Sequence, residues 1–205
     1  MNRIGLINYG LGNVTSVRNA LDYLGADVTE VHTPAGLDAV GHLILPGVGA
    51  FAATMERLRE RGWVEALRRH VLEKGKWLLG ICVGMQVLAD TGSEFGTCAG
   101  LGFLRGSVDA IDVGAHGLPM PHMGWNVLEV HRPCPLLEEI SDAPCFYFVH
   151  GYQLRSPEPD ATVATCQYGD TVTACVQKEN AFGVQFHPEK SQRDGLQVLR
   201  NFCEL

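Results

Sequence analysis

An apolar run that ends in Gly-x-Cys-x-Gly lies near the middle of this chain: Leu78-Leu79-Gly80-Ile81-Cys82-Val83-Gly84-Met85-Gln86. The run before the cysteine has the length and character of a buried strand, and the residues after it suit a helix. The two flanking glycines let the backbone make a sharp strand-to-helix turn that exposes the central side chain. This is the nucleophile-elbow pattern with Cys in place of Ser. The sulfur is then expected at a helix N-terminus, where the macrodipole favours thiolate over thiol. The plain alternative is a buried structural cysteine between two incidental glycines.

Other segments repeat the strand–turn–helix theme. Arg3 to Asn8 reads as a buried strand, followed by the Gly-rich turn Tyr9-Gly10-Leu11-Gly12-Asn13. Val14, Val17, Leu21 and Leu24 then recur at helical spacing, and Gly25 is a plausible stop. Asp27 to Val31 predicts a second strand, and His42 to Leu45 a third that ends in Pro46-Gly47-Val48-Gly49. Phe51, Met55 and Leu58 open a helical face, which Val64, Leu67 and Val71 continue after Gly62 until Gly75. Trp77 to Ile81 is the strand that enters Cys82. This alternation predicts an α/β fold, an open and mostly parallel sheet with helices on both faces. Such sheets bind ligands beyond the carboxyl ends of their strands, where the Gly10–Gly12, Pro46–Gly49 and Cys82 turns all lie.

The texture changes after Gly100. Strand-like segments follow closely at Ser107 to Asp112, Trp125 to His131, Cys145 to His150, Ala161 to Gln167, Val172 to Lys178 and Gly183 to Phe186. They predict a β-rich antiparallel extension in the C-terminal half, closed by a helix from Gly195 to Leu205. No repeat or linker divides the chain, so residues 1–205 are expected to form a single domain.

Composition narrows the function classes. The net charge is -7, which argues against nucleic acid as a partner. Arg57, Arg59, Arg61, Arg68 and Arg69 interleave with Glu56, Glu60 and Glu65, the pattern of a solvated helical face. Seven cysteines without a C-x-x-C pair suit a reducing cytoplasm better than a disulfide framework. Met1-Asn2-Arg3-Ile4 enters a strand without the apolar region of a signal peptide, and no run approaches membrane-spanning length. His32, His42, His70, His116 and His131 show no metal-ligand spacing, so no metal and no cofactor is expected. The remaining cysteines read as small core hydrophobes.

A cysteine nucleophile needs a base, and the base needs an orienting partner. Gly183-Val184-Gln185-Phe186-His187-Pro188-Glu189 supplies both. His187 follows an apolar run, and Glu189 two residues on can share its side of an extended segment. A carboxylate there holds the imidazole tautomer and stabilises the imidazolium. The alternative is a capped strand end with an exposed Glu. Acyl transfer also needs an oxyanion hole, for which the N–H of Val83 is one natural donor. The Val48 loop is the other, because flanking glycines let its backbone approach a substrate closely.

At this point the chain resembles the class I (triad) glutamine amidotransferases. Pro-Gly-Val-Gly, Gly-Ile-Cys-Val-Gly-Met-Gln and Gln-Phe-His-Pro-Glu stand in that family's order. Asn8 to Asn13, Pro121-His122-Met123-Gly124-Trp125-Asn126, Tyr147-Phe148-Val149-His150 and Lys190-Ser191 narrow the resemblance to the glutaminase subunits of imidazole glycerol phosphate synthases. The resemblance implies a flavodoxin-like sheet with a β-rich extension. It also implies that Cys82 attacks the side-chain amide of glutamine, with His187 as acid and base and Glu189 orienting it. By the same match Gln86 and Glu94 contact the substrate, while Gly49 and Gly151 line its pocket through their backbone. Asn13, Trp125 and Lys190 match positions at the interface with a (β/α)8-barrel cyclase subunit that consumes the ammonia as one half of a heterodimer. The family usually has Ser or Thr where this chain has Gly151. A glutaminase of anthranilate or guanylate synthesis, and a stand-alone cysteine hydrolase, are the alternatives.

Overall fold

The computed structural model describes residues 3–114 and 117–205; Met1, Asn2 and His116 lie outside the described residues. Its central sheet is built on β1 (Ile4–Ile7), β2 (Val28–Val31), β3 (His42–Gly47), β4 (Leu78–Cys82) and β14 (Ala181–Val184), all parallel to one another. Three antiparallel strands extend it: β13 (Asp170–Lys178), β12 (Thr162–Tyr168) and β9 (Glu129–Val130). The order across the sheet is β2-β1-β3-β4-β14-β13-β12-β9. The β-rich half is therefore largely continuous with the parallel half rather than appended to it. The last parallel strand comes from the end of the chain and lies against β4, which brings the sequence-distant Gln185–Glu189 segment to the edge where Cys82 sits.

Two smaller sheets complete the extension. β8 (His122–Val127) pairs antiparallel with β10 (Cys145–His150). β11 (Tyr152–Arg155), β7 (Ser107–Ala110), β5 (Thr91–Gly92) and β6 (Cys98–Ala99) form the other, in that order. The single strand expected from Trp125 to His131 is thus two strands in two sheets. The chain crosses between them at the buried Leu128, whose N–H bonds to the carbonyl of Pro144 instead of to a strand neighbour. The strand expected at Gly183 to Phe186 runs two residues earlier, because its pairing with β4 ends at Val184 opposite Ile81.

The helices follow the apolar periodicity. α1 (Val14–Tyr23) buries Val14, Val17 and Leu21, and α5 (Gln192–Glu204) buries Val198, Leu199 and Phe202. The long helical face after Phe51 splits into α2 (Phe51–Glu60) and α3 (Trp63–Arg68), because Gly62 takes a left-handed conformation with φ +71°. One continuous core, from Ile4 to Cys203, draws on both halves of the chain. Leu78, Leu79 and Ile81 of β4 are essentially inaccessible to solvent. Each such side chain contributes about 1.5–3 kcal/mol of burial, so the strand that carries Cys82 is anchored at the molecule's centre. Among the described residues no helix is long and apolar enough to cross a membrane.

The turn after β4 works only with glycines. A Cβ on Gly84 would overlap the carbonyl oxygen of Leu45, one on Gly47 the amide nitrogen of Gly84, and one on Gly80 the carbonyl oxygen of Gly84. Strands β3 and β4 and the single-turn helix α4 (Val83–Gln86) therefore meet backbone to backbone. The Gly84→Ala variant must open this contact, and overpacking of that kind costs about 1–3 kcal/mol. Thermal unfolding is expected to show a clearly lowered midpoint. A midpoint equal to that of the parent would contradict the close packing.

Candidate active site

The turns after β3, β4 and β14 at the carboxyl edge of the parallel strands, together with the Glu94 segment and the β10–β11 turn, border a cavity of about 370 Å³. It is lined by Val48, Gly49, Cys82, Val83, Gln86, Glu94, Val149, His150, Gly151, Tyr152 and His187. Every residue expected to catalyse or to bind substrate therefore borders it except Glu189, which stands behind His187.

Cys82 holds φ 56° and ψ -113°, a conformation that side-chain-bearing residues rarely adopt. The surrounding glycine contacts impose it, and it aims the side chain out of the strand line into the cavity. The helix after it is one turn long, so the macrodipole expected to favour the thiolate is small. The stronger electrostatic partner is the imidazole of His187. His187 is about 2% exposed, and its Nδ1–H donates to Glu189 Oε1 at 2.8 Å. That bond leaves Nε2 for Cys82. Burial pulls the imidazole toward the neutral form, but hydrogen bonds to Cys82 and to Glu189, with the charges of both, outweigh it. The result is a value raised from 6.5 to about 9, so the imidazole is held protonated beside Glu189 and Cys82.

The expected extended stretch from His187 to Glu189 is a tight turn instead. Pro188–Lys190 forms a 3₁₀ segment that begins with proline, whose fixed φ and missing N–H suit a first helical position. Glu189 still reaches Nδ1, now by folding back. Ser191 secures the turn: its hydroxyl donates to the carbonyl of His187 at 2.6 Å and accepts the N–H of Tyr147 at 2.9 Å. The N–H of His187 bonds to the carbonyl of Tyr147. The Glu189 side chain is fully buried, and Oε1 also accepts the amide of Asn13 at 3.1 Å. Asn13, read from the sequence as an interface residue, thus touches the carboxylate behind His187.

Glu94 lines the cavity at the N-terminus of α2, where its Oε2 accepts the N–H of Phe51 at 2.9 Å. Gln86 is buried, and its Nε2 donates to the carbonyl of Tyr152 at 2.9 Å and to Gln185 Oε1 at 3.0 Å. Both amide protons are engaged, so only its carbonyl oxygen is left to offer a ligand. The turn at Gly151 is braced by the pair His122 and His150, two motif histidines whose expected place is local packing or partner contact rather than catalysis. Tyr152 O can only accept, so His150 Nδ1 donates to it at 2.9 Å, and His150 Nε2 accepts from His122 Nδ1 at 3.0 Å. Burial pushes His150 down to about 3 and His122 to about 4, which keeps both neutral. A Cβ on Gly151 would meet only Met120 Sδ, at 3.5 Å, so a small side chain fits there.

Trp125 and Lys190 converge on one ring. Trp125, about half exposed, packs edge-on against Tyr147 with centroids 6.1 Å apart, and Lys190 Nζ lies 5.8 Å over the same ring. Met123 and Val127 are exposed beside Trp125 on the same face of β8. The other cysteines stand apart from this site: Cys134, Cys166, Cys175 and Cys203 are buried, and Cys98 and Cys145 partly so.

The class-I glutamine amidotransferase family pattern matches residues 5–205. The chain belongs to this family. Two relatives named imidazole glycerol phosphate synthase subunit HisH are similar over nearly their whole length. The one from Desulfitobacterium hafniense is 48% identical over 97% of this chain and 92% of its own. The one from Moorella thermoacetica is 46% identical over 100% and 96%. A solved glutamine amidotransferase superposes with TM-score 0.77 at 24% identity, covering 98% of this chain and 97% of its own. Another, from Thermotoga maritima, gives 0.66 at 21% identity, covering 98% and 80%. These two likenesses show the fold alone.

For this amidotransferase the raised His187 value sets a pH limit. The imidazolium is fully present below about 6.5 and is lost as pH rises through about 9. Glutamine hydrolysis is expected to fall on the alkaline side with a midpoint near 9. Glu189→Gln removes one of the groups that hold the proton, so the limb should move to lower pH while kcat drops by a factor on the order of 10² to 10⁴. An alkaline limb identical in parent and variant would sink the assignment of Glu189 as the orienting group.

Proposed function

We propose that this chain is the glutaminase subunit of an imidazole glycerol phosphate synthase, with residues 1–205 forming one amidotransferase domain. The observation that carries the proposal is the convergence of Cys82 and His187 on one cavity, with buried Glu189 bonded to His187 from behind, in a chain close to relatives of that name. The Cys82 thiolate attacks the side-chain amide carbon of glutamine. The N–H groups of Val83 and Val48 receive the oxyanion. The His187 imidazolium gives its proton to the departing nitrogen, which leaves as ammonia. Neutral His187 then takes a proton from water, whose oxygen displaces Cys82 from the glutamyl thioester and releases glutamate. Glu94 has one oxygen on Phe51 N–H, and the other receives the α-ammonium of glutamine. Gln86 offers its carbonyl oxygen, and Gly49 and Gly151 border the substrate with backbone.

The ammonia passes to a cyclase subunit of (β/α)8-barrel form in a heterodimer. There it completes imidazole glycerol phosphate and an aminoimidazole carboxamide ribonucleotide. The face carrying Trp125 and Lys190 is the docking surface in this reading, and Asn13 links it to Glu189. Such an assembly works in the cytoplasm. Val48 lies between two glycines, and the orientation of its peptide is set when the partner docks, so hydrolysis starts only when ammonia can be used.

Glutamate release from glutamine should be slow for the isolated chain and rise strongly with the cyclase subunit and its nucleotide ligand. Cys82→Ala should abolish it. Trp125→Ala should weaken the complex about tenfold or more, as expected for a central aromatic anchor, read by titration calorimetry. Full turnover without a partner would point to a stand-alone hydrolase instead. Gly151→Ser fits the space available and restores a hydroxyl at the pocket, so it should lower KM for glutamine with little change in kcat. An unchanged KM would mean that the backbone alone serves at this position.

A further inference from the structure

One buried polar group touches the nucleophile and has no place in the chemistry above. Gln185 is fully buried, and its Nε2 lies 3.7 Å from Cys82 Sγ at hydrogen-bond geometry for sulfur. Strand register puts it there. β14 pairs with β4 through Gly183 opposite Gly80 and Val184 opposite Ile81, so Gln185 comes level with Cys82. Gly183 and Gln185 share one face of their strand, as Gly80 and Cys82 share one face of theirs. The backbone N–H of Gln185 bonds to the carbonyl of Ala174, which holds the residue at the sheet edge.

The orientation of the amide follows from a group that cannot be turned around. The carbonyl of Tyr152 only accepts, so the Gln86 atom against it is the NH₂ group. The same NH₂ sends its second proton to the Gln185 oxygen at 3.0 Å. The Gln185 NH₂ must then face Sγ. Turning that amide over would set two NH₂ groups against each other and a carbonyl oxygen against the sulfur. The histidine pair steadies the first link: Asn126 donates to His122 at 3.2 Å, His122 to His150, and His150 to Tyr152 O. Donors from both sides thus converge on the Tyr152 carbonyl, Asn126, His122 and His150 in series from β8 and Gln86 from α4, and Gln86 in turn donates to Gln185, which donates to the nucleophile.

We propose that Gln185 is a further catalytic residue, whose side-chain N–H donates to the Cys82 sulfur and stabilises the thiolate before attack. The proposal rests on the reading of Cys82 as the nucleophile. His187 pairs with the sulfur as a mobile proton carrier. Gln185 supplies a donor that never gives up its proton, so the sulfur keeps one hydrogen-bond partner as a thiolate before attack and again when water displaces it from the thioester. A hydrogen bond to a charged group is worth about 1.5–3 kcal/mol, which corresponds to roughly tenfold or more in thiolate population.

The test is the rate of iodoacetamide alkylation of Cys82, followed on the Cys82 peptide by mass spectrometry so that the other six cysteines do not contribute. Gln185→Met keeps the volume and removes the donor. Gln185→Asn keeps an amide but withdraws it by one methylene, and it serves if the first variant does not fold. Thermal unfolding checks the fold of each. The expected result is an alkylation rate at pH 7 about tenfold lower in a folded variant, recovered at higher pH, with kcat reduced and KM for glutamine little changed. Parent-like alkylation at pH 7 in a folded variant would overturn the role of Gln185, even if turnover fell. If Cys82 of the parent protein itself reacted no faster than Cys98 or Cys145, the nucleophile assignment would fail instead.

Discussion

The backbone of Cys82 is the constraint on which the rest depends. A side chain at φ 56° and ψ -113° persists only where its surroundings leave no alternative. Here three glycines let β3, β4 and α4 touch directly, and the apolar residues of β4 lock that junction into the core. Relax the junction and the sulfur would fold back along the strand. Held as it is, the sulfur stands between the Val48 loop on one side and the Gln185–His187 segment on the other. The neighbouring strands β3 and β14 deliver both by parallel pairing.

The electrostatics follow from that placement. A buried imidazole next to a buried carboxylate would be a costly pair on its own. It is made useful by the thiol on its other side, which turns it into a proton store with a value near 9. Glu189 is in turn held by Asn13, from the loop after β1, so a segment almost the whole chain away helps to orient His187. Ser191 and the backbone of Tyr147 fix the same turn from the other side. Tyr147 also carries the Trp125 and Lys190 contacts, so the proposed docking face and His187 both lean on one residue of β10.

Much of this was legible in the residues. The parallel strands β1 to β4 announced themselves as apolar runs that stop at glycine turns, and the helices as apolar stripes between them. Cys82, His187, Glu189 and the Val48 loop could be picked out because each sits at such a stop. Other elements left little trace. β5 and β6 are two residues long, β11 follows β10 without a turn signal beyond Gly151, and the split of β8 from β9 depends on which sheet each joins. Gln185 was overlooked although its spacing from Gly183 and His187 places it on the same strand face as the glycine that packs against α4. The Phe51 N–H on Glu94, the Asn13 amide on Glu189 and the His122–His150 pair arise from long-range packing, which periodicity does not encode.

The most direct test of the account is to catch the covalent intermediate. Rapid acid quenching of the complex during turnover of isotopically labelled glutamine, followed by peptide mass spectrometry, reads where the glutamyl group resides. The account predicts a labelled thioester on the peptide containing Cys82, and on no other cysteine. Label on another residue, or steady glutamate release with no adduct at Cys82 at any quench time, would contradict it.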